Sequence, residues 1–270
     1  MNGQAGAHQP RRLAAAEHGL CTSDVDPDAL HLMEQLRSAG YQGLLVGGCV
    51  RDLLLGLTPK DFDVATDATP EEVKQLFRRS RMVGRRFRIT HVRYGRNIFE
   101  VSTFRKAEAE AQDERRQSDS GLILRDNVWG TLEEDAFRRD FTINALYYDP
   151  ETEEIVDYVG GLDDLENRRL RFIGHADVRL REDPVRILRA IRFVAKLDFV
   201  LDPAIEAAIP ETAEQLAAIP PARLFDEVCK LFLCGKAEAA WAFLAPTPLR
   251  SALFPCTPPQ DPFVRLAMRN

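Results

Sequence analysis

Leu44-Leu45-Val46-Gly47-Gly48-Cys49-Val50-Arg51-Asp52-Leu53-Leu54-Leu55-Gly56 is the stretch on which the fold turns. An unbroken apolar run, a Gly-Gly pair and a short segment stopped by glycine spell strand, tight turn and helix. Two glycines let the backbone approach an anion closely, and the helix that follows offers free N–H groups at the positive end of its dipole. The same pair also serves as a plain tight turn. Neither a GxxxxGK[ST] loop nor a GxGxxG fingerprint is present, so the usual nucleoside-triphosphatase and dinucleotide cradles are excluded.

Ten residues beyond Arg51 stands Asp61, in Lys60-Asp61-Phe62-Asp63-Val64. On a strand, positions i and i+2 share a face, so Asp61 and Asp63 are expected side by side with Phe62 turned into the core. Adjacent carboxylates repel unless a cation lies between them, and oxygen-only donors with open positions suit Mg²⁺. Glu100 is the one acid in the segment from Arg78 to Lys106, where ten basic residues give a net charge of +9. If Ile98, Glu100 and Ser102 share a sheet face, Glu100 completes a triad with the two aspartates; otherwise it pairs with a neighbouring arginine. The arginines form either a solvated basic face or a phosphate-recognising cluster, since the guanidinium fork matches two phosphate oxygens.

Two further constellations lie downstream. Thr131-Leu132-Glu133-Glu134 is a capping box whose helix is expected to lead into Arg138-Arg139-Asp140-Phe141-Thr142-Ile143-Asn144-Ala145-Leu146, with Asp140 and Asn144 on one helix face beside Arg139. These groups suit contact with a ribose or a triphosphate, or a network on the helix surface. Arg181-Glu182-Asp183-Pro184-Val185-Arg186 places Asp183 as an N-cap and Pro184 at the first helical position. Asp183 and Arg186, three apart, are expected to meet, either as a rigid edge that reads a nucleobase or as an N-cap salt bridge.

The 270 residues correspond to about two compact units at ~150 residues each. Strand and helix signals alternate to about Gly174 and only helical periodicity follows, which predicts an α+β part, 26–174, and an all-α part, 175–270, after a disordered leader, 1–25. Asp26-Pro27 opens a helix stopped by Gly40, Thr69-Pro70-Glu71-Glu72 opens another, and Ile89–Tyr94 with Ile98–Phe104 reads as a hairpin around Gly95-Arg96-Asn97. The polar, aperiodic run Lys106 to Ser120 reads as a mobile loop. A net charge of −6 excludes binding of nucleic acid through bulk positive charge. No stretch approaches the ~18 apolar residues of a spanning helix, and the N-terminus lacks the apolar core of a secretion signal, so no membrane partner is expected. Five cysteines without a CxxC pair fit a reducing cytoplasm. The five histidines form neither an HD pair nor an HExxH spacing, which argues against a metal-dependent phosphohydrolase.

The order Val-Gly-Gly-x-Val-Arg-Asp, Lys-Asp-x-Asp, Arg-Arg-Asp-Phe-Thr-Ile-Asn-Ala and Glu-Asp-x-x-Arg over residues 44 to 197 resembles the class II nucleotidyltransferases of tRNA CCA-adding enzymes and bacterial poly(A) polymerases. Leu57–Val64, Val83–Arg88 and Ile219–Val228 look more like the poly(A) polymerase branch. The resemblance implies a polymerase-β-like head with a mixed sheet and helices, followed by a helical neck and body. It implies Mg²⁺ on Asp61 and Asp63, triphosphate contact at Gly47, Gly48 and Arg51, and sugar and phosphate contact at Arg139 and Asp140, with Asp140 as a further active-site carboxylate; Glu100 is the catalytic candidate that the sheet-face reading adds. Asp183, Arg186, Arg189 and Arg192 match positions that select the incoming base or bind its phosphates, and Arg85, Arg86 and Arg88 are expected to face RNA. The implied activity is addition of AMP from ATP to RNA 3′ ends. CCA addition to tRNA is the related alternative, and a truncated, inactive RNA-binding or regulatory protein is the alternative of another class. Family members usually continue well past the Pro255 to Pro262 segment, so the nucleotide site is expected to be complete, the RNA-binding body partial, and primer affinity and processivity low.

Overall fold

A computed structural model of the chain describes residues 9–84, 88–106, 128–258 and 260. Two compact units divide between Leu162 and Asp163, with residues 140–142 belonging to the second unit. Periodicity alone places that division near Gly174, because the change from mixed to helical pattern lags behind the change of core.

The first unit holds β1 (Arg11–Leu13), α1 (Ala15–His18), α2 (Pro27–Ser38), β2 (Leu44–Val46), α3 (Gly48–Leu54), β3 (Val64–Thr66), α4 (Pro70–Leu76), β4 (Ser80–Val83), β5 (Ile89–Tyr94), β6 (Asn97–Thr103), α5 (Leu132–Phe137), β7 (Leu146–Asp149) and β8 (Glu154–Asp157). The strands form one mixed sheet in the order β1-β8-β7-β2-β3-β6-β5-β4. The β3–β6 pair is parallel and the rest are antiparallel. Local chemistry explains the helix starts. Asp26 accepts from the amides of Asp28 and Ala29, and the Thr69/Glu72 and Thr131/Glu134 boxes close as reciprocal bonds.

One sheet face buries Leu45, Val64, Val92, Phe99 and Val101 under α2 and α4, which present Leu32, Met33, Leu36 and Val73. The opposite face carries the cluster Leu44, Val46, Ala65, Phe104, Ala136, Tyr147 and Val156 over β2, β7 and β8, with Ala136 supplied by α5. The expected disordered leader is corrected in part. Arg11–Leu13 pairs antiparallel with β8, and Arg12 bonds Glu154 at 2.8 Å. Its partner lies far along the chain, beyond the reach of any local pattern. The expected loop from Lys106 to Ser120 lies almost wholly outside the described residues.

The second unit contains the C-terminal part of α6 (Gly161–Glu166), then β9 (Arg169–Leu170), α7 (Ala176–Glu182), α8 (Arg186–Leu197), β10 (Val200–Leu201), α9 (Pro203–Ala207), α10 (Ile209–Gln215), α11 (Pro221–Phe232), α12 (Ala237–Leu244) and α13 (Pro248–Leu253). Phe141 bridges Phe172 and stacks on it at 4.8 Å, with Phe193 of α8 edge-on at 5.3 Å. Asp164, fully buried, accepts from Thr142, Arg169 and Arg171. No helix among the described residues is long and apolar enough to cross a membrane.

Asp135 on α5 ties the first unit together. Its carboxylate is 1% exposed. One oxygen accepts from the Arg105 amide and the Arg138 guanidinium, and the other from Arg139 at 2.8 Å and the Tyr147 hydroxyl at 2.7 Å. Burial opposes its charge, but Arg139, Arg138 and the Tyr147 hydroxyl outweigh that and hold it below the ordinary carboxylate range. A carboxylate with a lowered folded pKa stabilises above its unfolded pKa, and that contribution is lost as pH falls through the folded pKa. Asp135→Ala is expected to cost ~3–5 kcal/mol by leaving buried arginine charge uncompensated. Urea unfolding at neutral pH reads the loss, and the difference between variant and wild type should shrink on acidification below the ordinary carboxylate range.

Candidate active site

Gly47 ends β2 with φ +81°, a conformation that L side chains rarely adopt, and its carbonyl begins α3 by accepting from the Arg51 amide. A Cβ at Gly47 would lie 3.6 Å from the Asn144 carbonyl oxygen and 3.7 Å from Arg139 Nη1. The turn therefore stands against an arginine on a face where only glycine sits without strain. Arg51, 3% exposed, lies behind it: its Nε and Nη2 bond Asp52, and its Nη1 bonds Asn144. The arginine expected to touch triphosphate is thus held within the unit, its charge placed behind Gly48, whose Cβ would stand 3.5 Å from Nη2. Cys49, next in the chain, is buried, and burial pushes its thiol up to about 12, which removes it as a ligand or nucleophile at neutral pH.

Asp61 and Asp63 occupy the extended approach to β3 rather than the strand itself, and Phe62 is half-buried instead of turned into the core. The Val46 amide bonds the Asp63 carbonyl at 3.0 Å, which anchors the approach beside β2. Parallel pairing matches Val64 with Val101, so Asp63 falls beside Glu100 one residue earlier. The Asp63 carboxyl is pushed up to about 6, by burial first and by Glu100 next, with Asp61 adding to it and Arg139 opposing it. Glu100 meets His91 of β5 at 3.5 Å, and among the described residues no arginine pairs with it. Asp61 and Glu100 therefore both lie near enough to Asp63 to act on its charge.

A proton-hungry, half-buried carboxylate among like charges is what a cation relieves, and an all-oxygen donor set fits a hard ion. Among the described residues no three ligating side chains are close enough to hold an ion unaided.

Several expectations for the downstream motifs are corrected. The helix opened by Thr131 ends at Phe137, and Thr142–Asn144 is a 3₁₀ turn, so Asp140 and Asn144 share no helix face. Bridging of Phe141 to Phe172 draws the chain out of helical geometry between them. Asn144 accepts from Arg51, whereas Asp140 is ringed by Arg179 at 3.4 Å, Arg186 at 3.1 Å and Arg189. Asp183 is not the N-cap of α8, which starts from Val185. Its carboxylate accepts from the Val185 amide and pairs with Arg223, while Arg186 bonds Asp140 and Glu182. The expected Asp183–Arg186 side-chain edge is absent because each partner is satisfied elsewhere. Arg192 is half-buried, and burial lowers its pKa. Arg85 and Arg86 lie outside the described residues; Arg88 pairs with Glu71 at 2.8 Å. The residue that the motifs did not reveal is Asp135, whose signal was its spacing of three and four to Arg138 and Arg139.

A family model described as the poly A polymerase head domain matches residues 44–171, and one described as the probable RNA and SrmB-binding site of polymerase A matches 198–259. Poly(A) polymerase I of Haemophilus influenzae is 49% identical over 246 residues, which covers 90% of this chain and 54% of the relative. A CCA-adding enzyme of Streptococcus suis is 41% identical over 206 residues, covering 76% of this chain and 49% of that enzyme. The crystal structure of Bacillus stearothermophilus CCA-adding enzyme in complex with CTP superposes with a TM-score of 0.70 at 38% identity, over 85% of this chain and 54% of that one. The chain spans about half the length of the curated relatives it matches. Motif order, mixed sheet and neighbouring carboxylates agree with these likenesses: the chain belongs to the nucleotidyltransferase family of poly(A) polymerases and CCA-adding enzymes, on its poly(A) polymerase side.

Proposed function

We propose that this chain transfers AMP from ATP to RNA 3′ ends without a template. The observation that carries this reading is the nearness of Asp61 and Glu100 to Asp63 on the sheet face that also presents the Gly47–Gly48 turn and Arg139. The glycine turn and the amides of α3 receive the triphosphate, with the Arg51 charge held behind them. Arg139, fixed by Asp135 and Tyr147, adds a second positive group toward the turn. Asp61 and Asp63, with Glu100 alongside, are the residues that would hold Mg²⁺, which when bound lowers the pKa of the attacking 3′-hydroxyl and neutralises the leaving pyrophosphate. The protein's own contribution is placement of fixed charges, with no covalent nucleophile. Arg186, Arg189 and Arg192 select the incoming base or bind its phosphates. Asp140 orients the first two, and Arg223 restrains Asp183. The five cysteines, none in a disulfide, support action in the cytoplasm.

Likeness to a CCA-adding enzyme in complex with CTP favours CCA addition as the second reading. Extension of labelled oligoadenylate and of tRNA lacking its CCA end, with Mg²⁺ and one nucleotide at a time, separates the two. Repeated ATP-only addition to oligoadenylate is expected. Incorporation of CTP and then ATP on the tRNA would assign the chain to the CCA branch, and RNA binding without any incorporation would leave an inactive RNA-binding protein.

Asp61→Asn and Asp63→Asn should each lower transfer by ~10²–10³-fold or more, the order seen when one group stabilising transition-state charge is removed. Circular dichroism should be unchanged, and near-normal turnover in either variant would overturn the metal assignment. Arg186→Ala is expected to cut the preference for ATP over CTP by ~10- to 100-fold, the scale of one bidentate base contact. Unchanged kinetics with all four nucleotides would remove Arg186 from base selection.

A further inference from the structure

The sheet face that bears the catalytic carboxylates does not end with them. Register places Asp63, Glu100, His91 and Arg81 in one transverse row across β3, β6, β5 and β4. The adjoining row on the same face holds Ile98 and Arg93, opposite each other, and Arg79, whose carbonyl accepts from the Arg93 amide. Period two confirms the facing. Val92, Phe99 and Val101 are buried toward α4, whereas Arg79, Arg81, Arg93 and Ile98 are exposed, Ile98 by 52%. Among the described residues no acidic side chain pairs with Arg79, Arg81 or Arg93, and Glu100 in the first row meets His91 at 3.5 Å.

An open, positively charged strip that starts beside the catalytic carboxylates has the form of a single-strand channel, in which cationic groups follow a phosphate backbone. We infer that β4–β6 form a track for the primer strand: the RNA 3′ end lies at Asp61 and Asp63, and the preceding nucleotides run outward over Glu100 and His91 to phosphate contacts with Arg93, Arg81 and Arg79. This rests on the polyadenylating reading and adds to it a direction, a length and three contacts. It is also separate from residues 198–259, the segment matched by the RNA-binding family model. Three strand spacings of ~4.8 Å put β4 about 14 Å from β3, roughly four nucleotides at ~3.4 Å each. A dinucleotide therefore ends before the arginines, and a decanucleotide covers them.

The test is the triple variant Arg79→Ala, Arg81→Ala, Arg93→Ala, with Arg12→Ala on the far edge strand as a control. Equilibrium binding of labelled oligoadenylates of two and ten nucleotides is followed by fluorescence anisotropy, and extension kinetics are measured on the same primers. For the decamer, Kd and KM should rise about tenfold or more, with kcat at saturation, KM for ATP and Tm unchanged. The slope of log Kd against log salt should become shallower by about 2, the change for three phosphate contacts on a single strand. The dinucleotide and the control should show no change. Unchanged decamer binding, or equal loss for both lengths, would overturn the track. If the wild type extends no primer, the polyadenylating reading has failed, and the binding arm still decides whether the surface holds RNA.

Discussion

Everything chemical in the first unit depends on one register, the parallel pairing of β3 with β6. That pairing sets the half-buried Asp63 next to the exposed Glu100, and burial with Glu100 beside it raises the Asp63 carboxyl to about 6. A shift by one residue would turn Asp63 and Glu100 to opposite faces and disperse the charge. The register is secured by Val64 and Val101, both buried on the far side, so apolar packing under α2 and α4 holds the polar geometry of the opposite face. Repulsion among carboxylates costs stability, and the buried Asp135 network with its arginines stands close by as a compensating positive region.

The two units handle charge differently. In the first, glycine backbone, arginine and carboxylate are distributed along one sheet face, and the arginines closest to the glycine turn are fixed by Asp52, Asn144, Asp135 and Tyr147. In the second, Arg179, Arg186 and Arg189 surround the carboxylate of Asp140, and Glu182 pairs with the first two as well.

What could be read from the sequence was what local chemistry determines. The capping boxes at Thr69 and Thr131, the Asp26-Pro27 start and the β5–β6 hairpin depend on residues a few positions apart, and they formed as expected. The Gly47–Gly48 turn was legible because only glycine accepts its positive φ. Readings that extended a helix or a pair by spacing alone failed where a distant partner was stronger. Phe172 draws Phe141 out of a helix, and Arg223, 40 residues along the chain, takes the carboxylate meant for Arg186. Asp135 escaped notice because its importance comes from burial, which no motif encodes.

The N-terminal strand carries a last consequence, one of timing. β1 covers the outer edge of β8, and its Arg12–Glu154 contact joins residues 142 positions apart. At ~5–20 residues per second, the ribosome delivers that partner roughly 7–30 s after the strand itself. Throughout that interval the Arg-Arg-Leu strand is without its β8 partner. Its two arginines then act as gatekeepers, since charge on a waiting strand discourages pairing with another chain.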